Sequence, residues 1–236
     1  MEHNPYTLVF GKEPAQRISR TAQRNMVMDT FLSEEPAQQV YIITGVRGSG
    51  KTVLLTEVSR KMREEENWIV VELNPERDML KTLASKLSSE HRLASIFQNA
   101  SINLSFFGFG LEVENTAPVT DIEVALSKML SSLKKHGKRV LVTVDEVVSN
   151  QNMKTFASSF QIFVRQDLPL FLLMTGLYEN VQDLQNEKIE LNGFTTVVDA
   201  KRYRMYMENF GEFFDNQVQS ANCIVLSRTG GMSEDK

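Results

Sequence analysis

The chain has almost no cysteine and little histidine, and these two shortages close off several chemistries at once. Among 236 residues there is one cysteine, Cys223, and there are three histidines. A single thiol excludes an internal disulfide framework and any cysteine-rich metal site. His3, His91 and His136 are scattered without ligand spacing, so each reads as a surface residue rather than a metal ligand. Charge of one sign is also lacking: 26 basic against 30 acidic side chains leave a net charge of −4. That gives no global nucleic-acid footprint and leaves a local basic patch open. No apolar run approaches the length of a membrane span, and the start, Met1 to Pro5, is neither basic nor apolar. The expectation is a soluble cytoplasmic protein with no membrane association. Apolar residues make up 42% of the chain and charged ones 24%, which suits one large α/β domain, or one domain with an appendage.

The most specific pattern is Gly45-Val46-Arg47-Gly48-Ser49-Gly50-Lys51-Thr52, placed directly after the apolar run Val40 to Ile43 and before the helical pattern Val53 to Val58. A strand that delivers a glycine-rich loop to the start of a helix lets backbone N–H groups close around phosphate oxygens at the helix N-terminus. Lys51 is then placed to reach the outer phosphates of ATP, and Thr52 to ligate Mg²⁺.

Further along, Trp68 to Leu73 reads as a strand covered on both faces, and Glu76 to Phe97 carries helical spacing. Residues 101–116 have another character. Ile102 to Phe106 alternates, Gly108 and Gly110 punctuate, and Leu111 to Glu114 alternates again, which predicts a small hairpin insertion. Asp121 is placed to cap a helix ending in the basic turn Lys134 to Gly137. The strand Val140 to Val144 then stops at Asp145-Glu146. An acidic residue at the C-terminal end of a buried parallel strand sits where ligands bind. Asp145 is a candidate Mg²⁺ ligand opposite the loop, and Glu146 a candidate base for an attacking water. A helix from about Met153 to Gln166 leads to the strand Leu170 to Met174, which exits through Thr175-Gly176-Leu177. If that strand lies between the loop strand and the acidic strand, the Thr175 hydroxyl stands near the terminal phosphate and can sense it.

From about Pro5 to Glu187 the chain resembles the AAA-related ATPases of the origin-recognition and STAND type. The resemblance rests on Phe10-Gly11-Lys12-Glu13, on the loop Gly45 to Thr52, on the strand ending Asp145-Glu146 and on the Thr175-Gly176-Leu177 exit. It implies a three-layer P-loop NTPase sandwich whose mostly parallel sheet of about five strands is ordered 5-1-4-3-2. It also implies adenine contact by Val9 and Phe10, and ATP hydrolysis coupled to conformational change or assembly with a protein client. A homo-oligomer and a nucleic-acid partner stay open. Members of that family usually continue into a helical lid, which is not evident in this sequence.

The remainder is similar to a different family. Asn192 to Ala200, Phe213 to Gln217 and Ala221 to Thr229 look like part of a CobW-type metallochaperone GTPase. The segment departs from it in having Ser227-Arg228-Thr229-Gly230 where guanine would be read, and only one cysteine. The expected organisation is a P-loop ATPase domain over residues 1–188 and a strand-helix-strand segment over 189–236, with a fusion junction near Asn186 to Ile189. That segment either extends the sheet beside the loop strand or packs as a separate small layer. Four functions follow in order: an ATPase, a nucleotide-gated scaffold with negligible turnover, a small-molecule P-loop kinase, whose sites seldom pair a strand-end Asp with an adjacent Glu, and, resting on the tail alone, a GTP-binding metallochaperone-like protein.

Overall fold

Strands that are apolar throughout must be covered on both faces, and helices whose apolar residues fall on one side can cover them. A computed structural model describes residues 21–109, 116–177, 179–181, 194–200, 202–219, 221 and 223–227. Within them the chain forms strands β1 (Val40–Gly45), β2 (Trp68–Leu73), β3 (Arg139–Val147), β4 (Leu170–Gly176), β5 (Phe194–Asp199) and β6 (Cys223–Ser227). The helices are α1 (Thr21–Leu32), α2 (Lys51–Glu64), α3 (Met79–Ser89), α4 (Ala94–Asn99), α5 (Ile122–Lys135), α6 (Gln151–Arg165) and α7 (Tyr203–Gln219). All the ladders are parallel. The sheet order is β2-β3-β4-β1-β5-β6, so the expected order 5-1-4-3-2 is present with one further strand outside it.

Alternation along each strand sends neighbouring residues to opposite layers. Ile42, Val142 and Leu172 join the core beneath α3, α5 and α6. Ile43, Leu141 and Phe171 join the core beneath α1 and α2. On that second side Phe31 meets Tyr41 and Phe171 edge-on, with ring centroids 5.4 and 5.3 Å away. Arg139 lies over the Trp68 ring at 5.8 Å and donates to the carbonyls of Phe31 and Ser33 at 2.9 and 2.7 Å. It thereby satisfies backbone acceptors left over at the end of α1.

The tail is part of this sheet. Thr195 and Val197 of β5 pair in register with Ile43 and Gly45 of the loop strand, and β6 pairs with β5. Val197 and Val225 face the α1/α2 core, while Val198 packs with Tyr206 and Phe214 of α7. The helical path of α7 is broken once, at Gly211, where φ is 29° and ψ is −111°. The segment 189–236 therefore does not form a separate layer where it is described; the junction near Asn186 to Ile189 lies outside the described residues.

Two local expectations need correction. The long helical pattern of Glu76 to Phe97 divides into α3, a 3₁₀ turn at His91–Leu93, and α4. In the segment 101–116, Ile102 to Leu104 form no strand and a 3₁₀ turn occupies Ser105–Phe107. Ile102 and Leu104 are buried in the core below α5, so their alternation records burial and not a ladder. The chain still doubles back there: Asn103 accepts the Val119 N–H at 3.0 Å and donates its side-chain amide to the Thr116 carbonyl at 2.7 Å. Residues 110–115 lie outside the described ones.

Candidate active site

The loop leaves β1 at Gly45 and enters α2 at Lys51. Its three glycines all take positive φ, 148° at Gly45, 78° at Gly48 and 90° at Gly50. At Gly45 this freedom is also needed for space, because a Cβ would lie 2.5 Å from the Val197 carbonyl oxygen of β5. The Ser49 N–H returns to the Val46 carbonyl at 3.2 Å, closing a turn. The Val46 side chain packs against the Val198, Tyr206 and Phe214 cluster, so the tail supports the loop from the side.

Lys51 donates to the carbonyls of Gly45 at 2.8 Å and Val46 at 3.1 Å. An ammonium has three donors, so this geometry both shapes the loop and leaves one N–H for a ligand. Burial pushes the Lys51 pKa below its ordinary value. The nearby Asp145 and Glu146 carboxylates oppose that shift, and the Arg47 charge adds to it. Supplying an anion at this position relieves the cost of holding the charge there.

Because β4 lies between β1 and β3, the ends of all three strands meet. One oxygen of Asp145, Oδ1, accepts the Thr52 hydroxyl at 3.2 Å and the Thr175 hydroxyl more closely still. The Thr175 oxygen in turn accepts the Glu146 N–H at 3.0 Å. Glu146 sits at φ 53°, where the β3–β4 register shifts between Val144 and Val147. This bulge turns the Glu146 side chain outward, exposed, while Asp145 is half-buried. Lys51, Arg47 and Glu146 then line one cavity of about 250 Å³ whose other walls include Val147, Val148 and Leu177. Such a volume suits a terminal phosphate with water and is small for a whole nucleotide. Two larger grooves, of about 680 and 550 Å³, run along α5 and along the opposite strand ends near Pro36, Arg139 and Pro169. Neither touches the loop.

The structure thus brings together Gly45 to Thr52, Asp145, Glu146 and Thr175, as the sequence placed them. Val9 and Phe10 lie outside the described residues. Sequence reasoning missed Asn180, whose side chain donates to the Val147 carbonyl at 2.9 Å and so ties the segment after β4 to the bulge. It carries no motif signal; only its position just past Leu177 points to it. His91 and His136 are exposed, and among the described residues no group of three His, Cys, Asp or Glu side chains could hold a metal by itself. Among the same residues no helix is long and apolar enough to cross a membrane.

A family model described as an ATPase domain predominantly from Archaea matches residues 28–166. No curated protein matches. Among solved structures, Cdc6p from Pyrobaculum aerophilum is similar over 88% of this chain and 52% of its own length, at 12% identity and a TM-score of 0.51. The Aeropyrum pernix ORC1 protein in complex with DNA matches over 82% and 49%, at 14% identity and 0.49. Drosophila ORC bound to DNA matches over 84% and 48%, at 15% identity and 0.47. The chain spans about half the length of these proteins.

Proposed function

Because the chain belongs to the family of ATPase domains found predominantly in Archaea, we propose that it binds ATP with Mg²⁺ and hydrolyses it to ADP and phosphate. The observation that carries this reading is the meeting of Lys51 and Glu146 on one cavity, beside a carboxylate shared by Thr52 and Thr175. The loop amides and Lys51 bind the phosphates, which makes catalysis largely positioning and charge stabilisation. Glu146 orients a water: its oxygen forms a bond to the terminal phosphorus as the bond to the bridging oxygen breaks. The electron pair leaves on ADP, and the water proton passes to the Glu146 carboxylate.

The Thr52 hydroxyl and the Asp145 carboxylate, 3.2 Å apart, are the residues that would hold Mg²⁺. Two oxygen donors suit an ion that keeps waters and takes the rest of its ligands from phosphates. When bound, Mg²⁺ supplies neutralisation of charge on the phosphate oxygens.

In the same proposal, nucleotide state is coupled to the loop's neighbours through β5 and α7 and thence to a protein client. The GTP reading has less support, since it rests on the tail alone and Ser227 to Gly230 lacks a guanine-reading Asn and Asp. The test is phosphate release by wild type and Glu146→Gln, with ATP binding measured separately. Retained binding with at least about a hundredfold slower release in the variant supports the assignment. Equal release by both proteins overturns it, and binding without any turnover in wild type makes the chain a nucleotide-gated module.

A further inference from the structure

Hydrolysis by this route spreads negative charge over the terminal phosphoryl oxygens, and Lys51 is the one basic side chain so far assigned to meet it. Two of its three N–H donors are on the Gly45 and Val46 carbonyls. The same cavity has a second cation in its wall, Arg47.

Three features set Arg47 apart from an ordinary loop arginine. Its backbone is held, because Val46 on one side is packed into the Val198, Tyr206 and Phe214 cluster and the turn is closed by the Ser49 N–H on Val46. Its side chain is exposed and, among the described residues, makes no hydrogen bond or ion pair. It shares the cavity wall with Glu146, which also makes no ion pair among the described residues. Two opposite charges on the wall of one cavity of about 250 Å³, not closed onto each other, leave room for a phosphoryl group and its water between them. A guanidinium, with its planar fork of donors, matches phosphoryl oxygens well. The Arg47 charge is also one of the influences holding the Lys51 pKa down, which agrees with their closeness.

We propose that Arg47 is a catalytic residue acting in its own chain, its guanidinium stabilising the charge that develops on the transferred phosphoryl oxygens as water attacks. This rests on the ATPase reading above. It makes an arginine from a neighbouring subunit unnecessary for the chemical step.

The experiment measures ATP affinity, single-turnover hydrolysis and binding of ADP with aluminium fluoride for wild type, Arg47→Ala and Arg47→Lys. It then assays a mixture of Arg47→Ala with Glu146→Gln. The expected result is a loss of about a thousandfold in hydrolysis for Arg47→Ala, with ATP affinity within a few fold of wild type and aluminium fluoride no longer trapped. Arg47→Lys should recover only a small part, since a lysine lacks the fork. The mixture should show no more than the sum of its components, because no site then holds both groups. Regained activity in the mixture overturns action within one chain. Loss of ATP affinity with the rate at saturation unchanged makes Arg47 a ground-state phosphate ligand and overturns the catalytic role. A wild type that neither binds nor hydrolyses ATP defeats the ATPase reading itself, which is a different failure from an active wild type matched by Arg47→Ala.

Discussion

Replacing Thr175 by valine removes one hydroxyl and keeps the side chain's shape, so its effect isolates two hydrogen bonds. The residue is fully buried, 0% exposed. Its hydroxyl donates to Asp145 Oδ1 and accepts the Glu146 N–H at 3.0 Å. A hydrogen bond to a charged group contributes about 1.5–3 kcal/mol and a neutral one about 0.5–1.5 kcal/mol. Asp145 is half-buried and keeps Thr52 as a partner, so the lower ends apply and the expected loss is about 2 kcal/mol. For a domain of this size that is a fall in Tm of about 4–8 °C. The kinetic effect is separate and acts through Glu146. Glu146 is at φ 53°, a conformation that costs a non-glycine residue about 1 kcal/mol or more and persists only when its surroundings hold it. Without the Thr175 acceptor the bulge can relax and the carboxylate leaves its place on the cavity wall. We expect kcat to drop at least about tenfold with KM little changed, and Thr175→Ser to restore most of it. Urea denaturation and steady-state phosphate release measure the two effects. A valine variant with wild-type stability and wild-type kcat contradicts the role given to this hydroxyl.

Alanine at Gly45 should be far more damaging than at Gly48. A Cβ at Gly45 meets the Val197 carbonyl at 2.5 Å, whereas one at Gly48 meets nothing within 4 Å, leaving a backbone cost of about 1–2 kcal/mol there; denaturation curves of the two variants check the order. Phe214 is 1% exposed and packs on Tyr203 and Tyr206 at 5.8 and 5.9 Å, so Phe214→Ala should cost about 3–5 kcal/mol. Because Val46 leans on the same cluster, ATP affinity should fall with it, and unchanged affinity would detach the tail from the loop. Lys51→Met removes the loop's brace together with a half-buried charge, so its clean readout is the pH dependence of stability without nucleotide. Burial lowers the Lys51 pKa from 10.5 in the folded chain, so the folded chain holds that proton less tightly than the unfolded one. The penalty is full below the folded pKa and is relieved as pH rises from there through 10.5. Across melting curves from about pH 7 to above 10, wild type should therefore gain stability relative to Lys51→Met, and a difference constant with pH contradicts the shift.

Most of the site was legible because phosphate chemistry constrains sequence tightly. A loop with glycines at 45, 48 and 50 has few other uses, and strand-end positions for Asp145, Glu146 and Thr175 follow from reading β3 and β4 as buried parallel strands. The sheet order came with the family resemblance and not from periodicity. Other features depend on residues distant in sequence. The pairing of β5 with β1 brings Val197 beside Gly45 across about 150 residues, and no local pattern near Phe194 says which edge it will choose. The Glu146 bulge is invisible in a run that reads as a smooth strand exit, since it is fixed by a hydroxyl on the neighbouring strand. Ile102 and Leu104 alternate as a strand would, yet the cause is burial under α5 in an irregular turn. Asn180 carries no motif, and its bond to Val147 exists only because β4 ends where β3 bulges.

Isothermal titration of ATP with Mg²⁺ into wild type and Lys51→Ala decides whether the loop is a nucleotide site at all. Lys51 donates to the loop's own carbonyls at 2.8 and 3.1 Å and has one N–H left for phosphate, so its removal takes away both the loop's brace and its cation. Saturable binding by wild type with none detectable for Lys51→Ala is the expected outcome; equal affinity for the two proteins contradicts it.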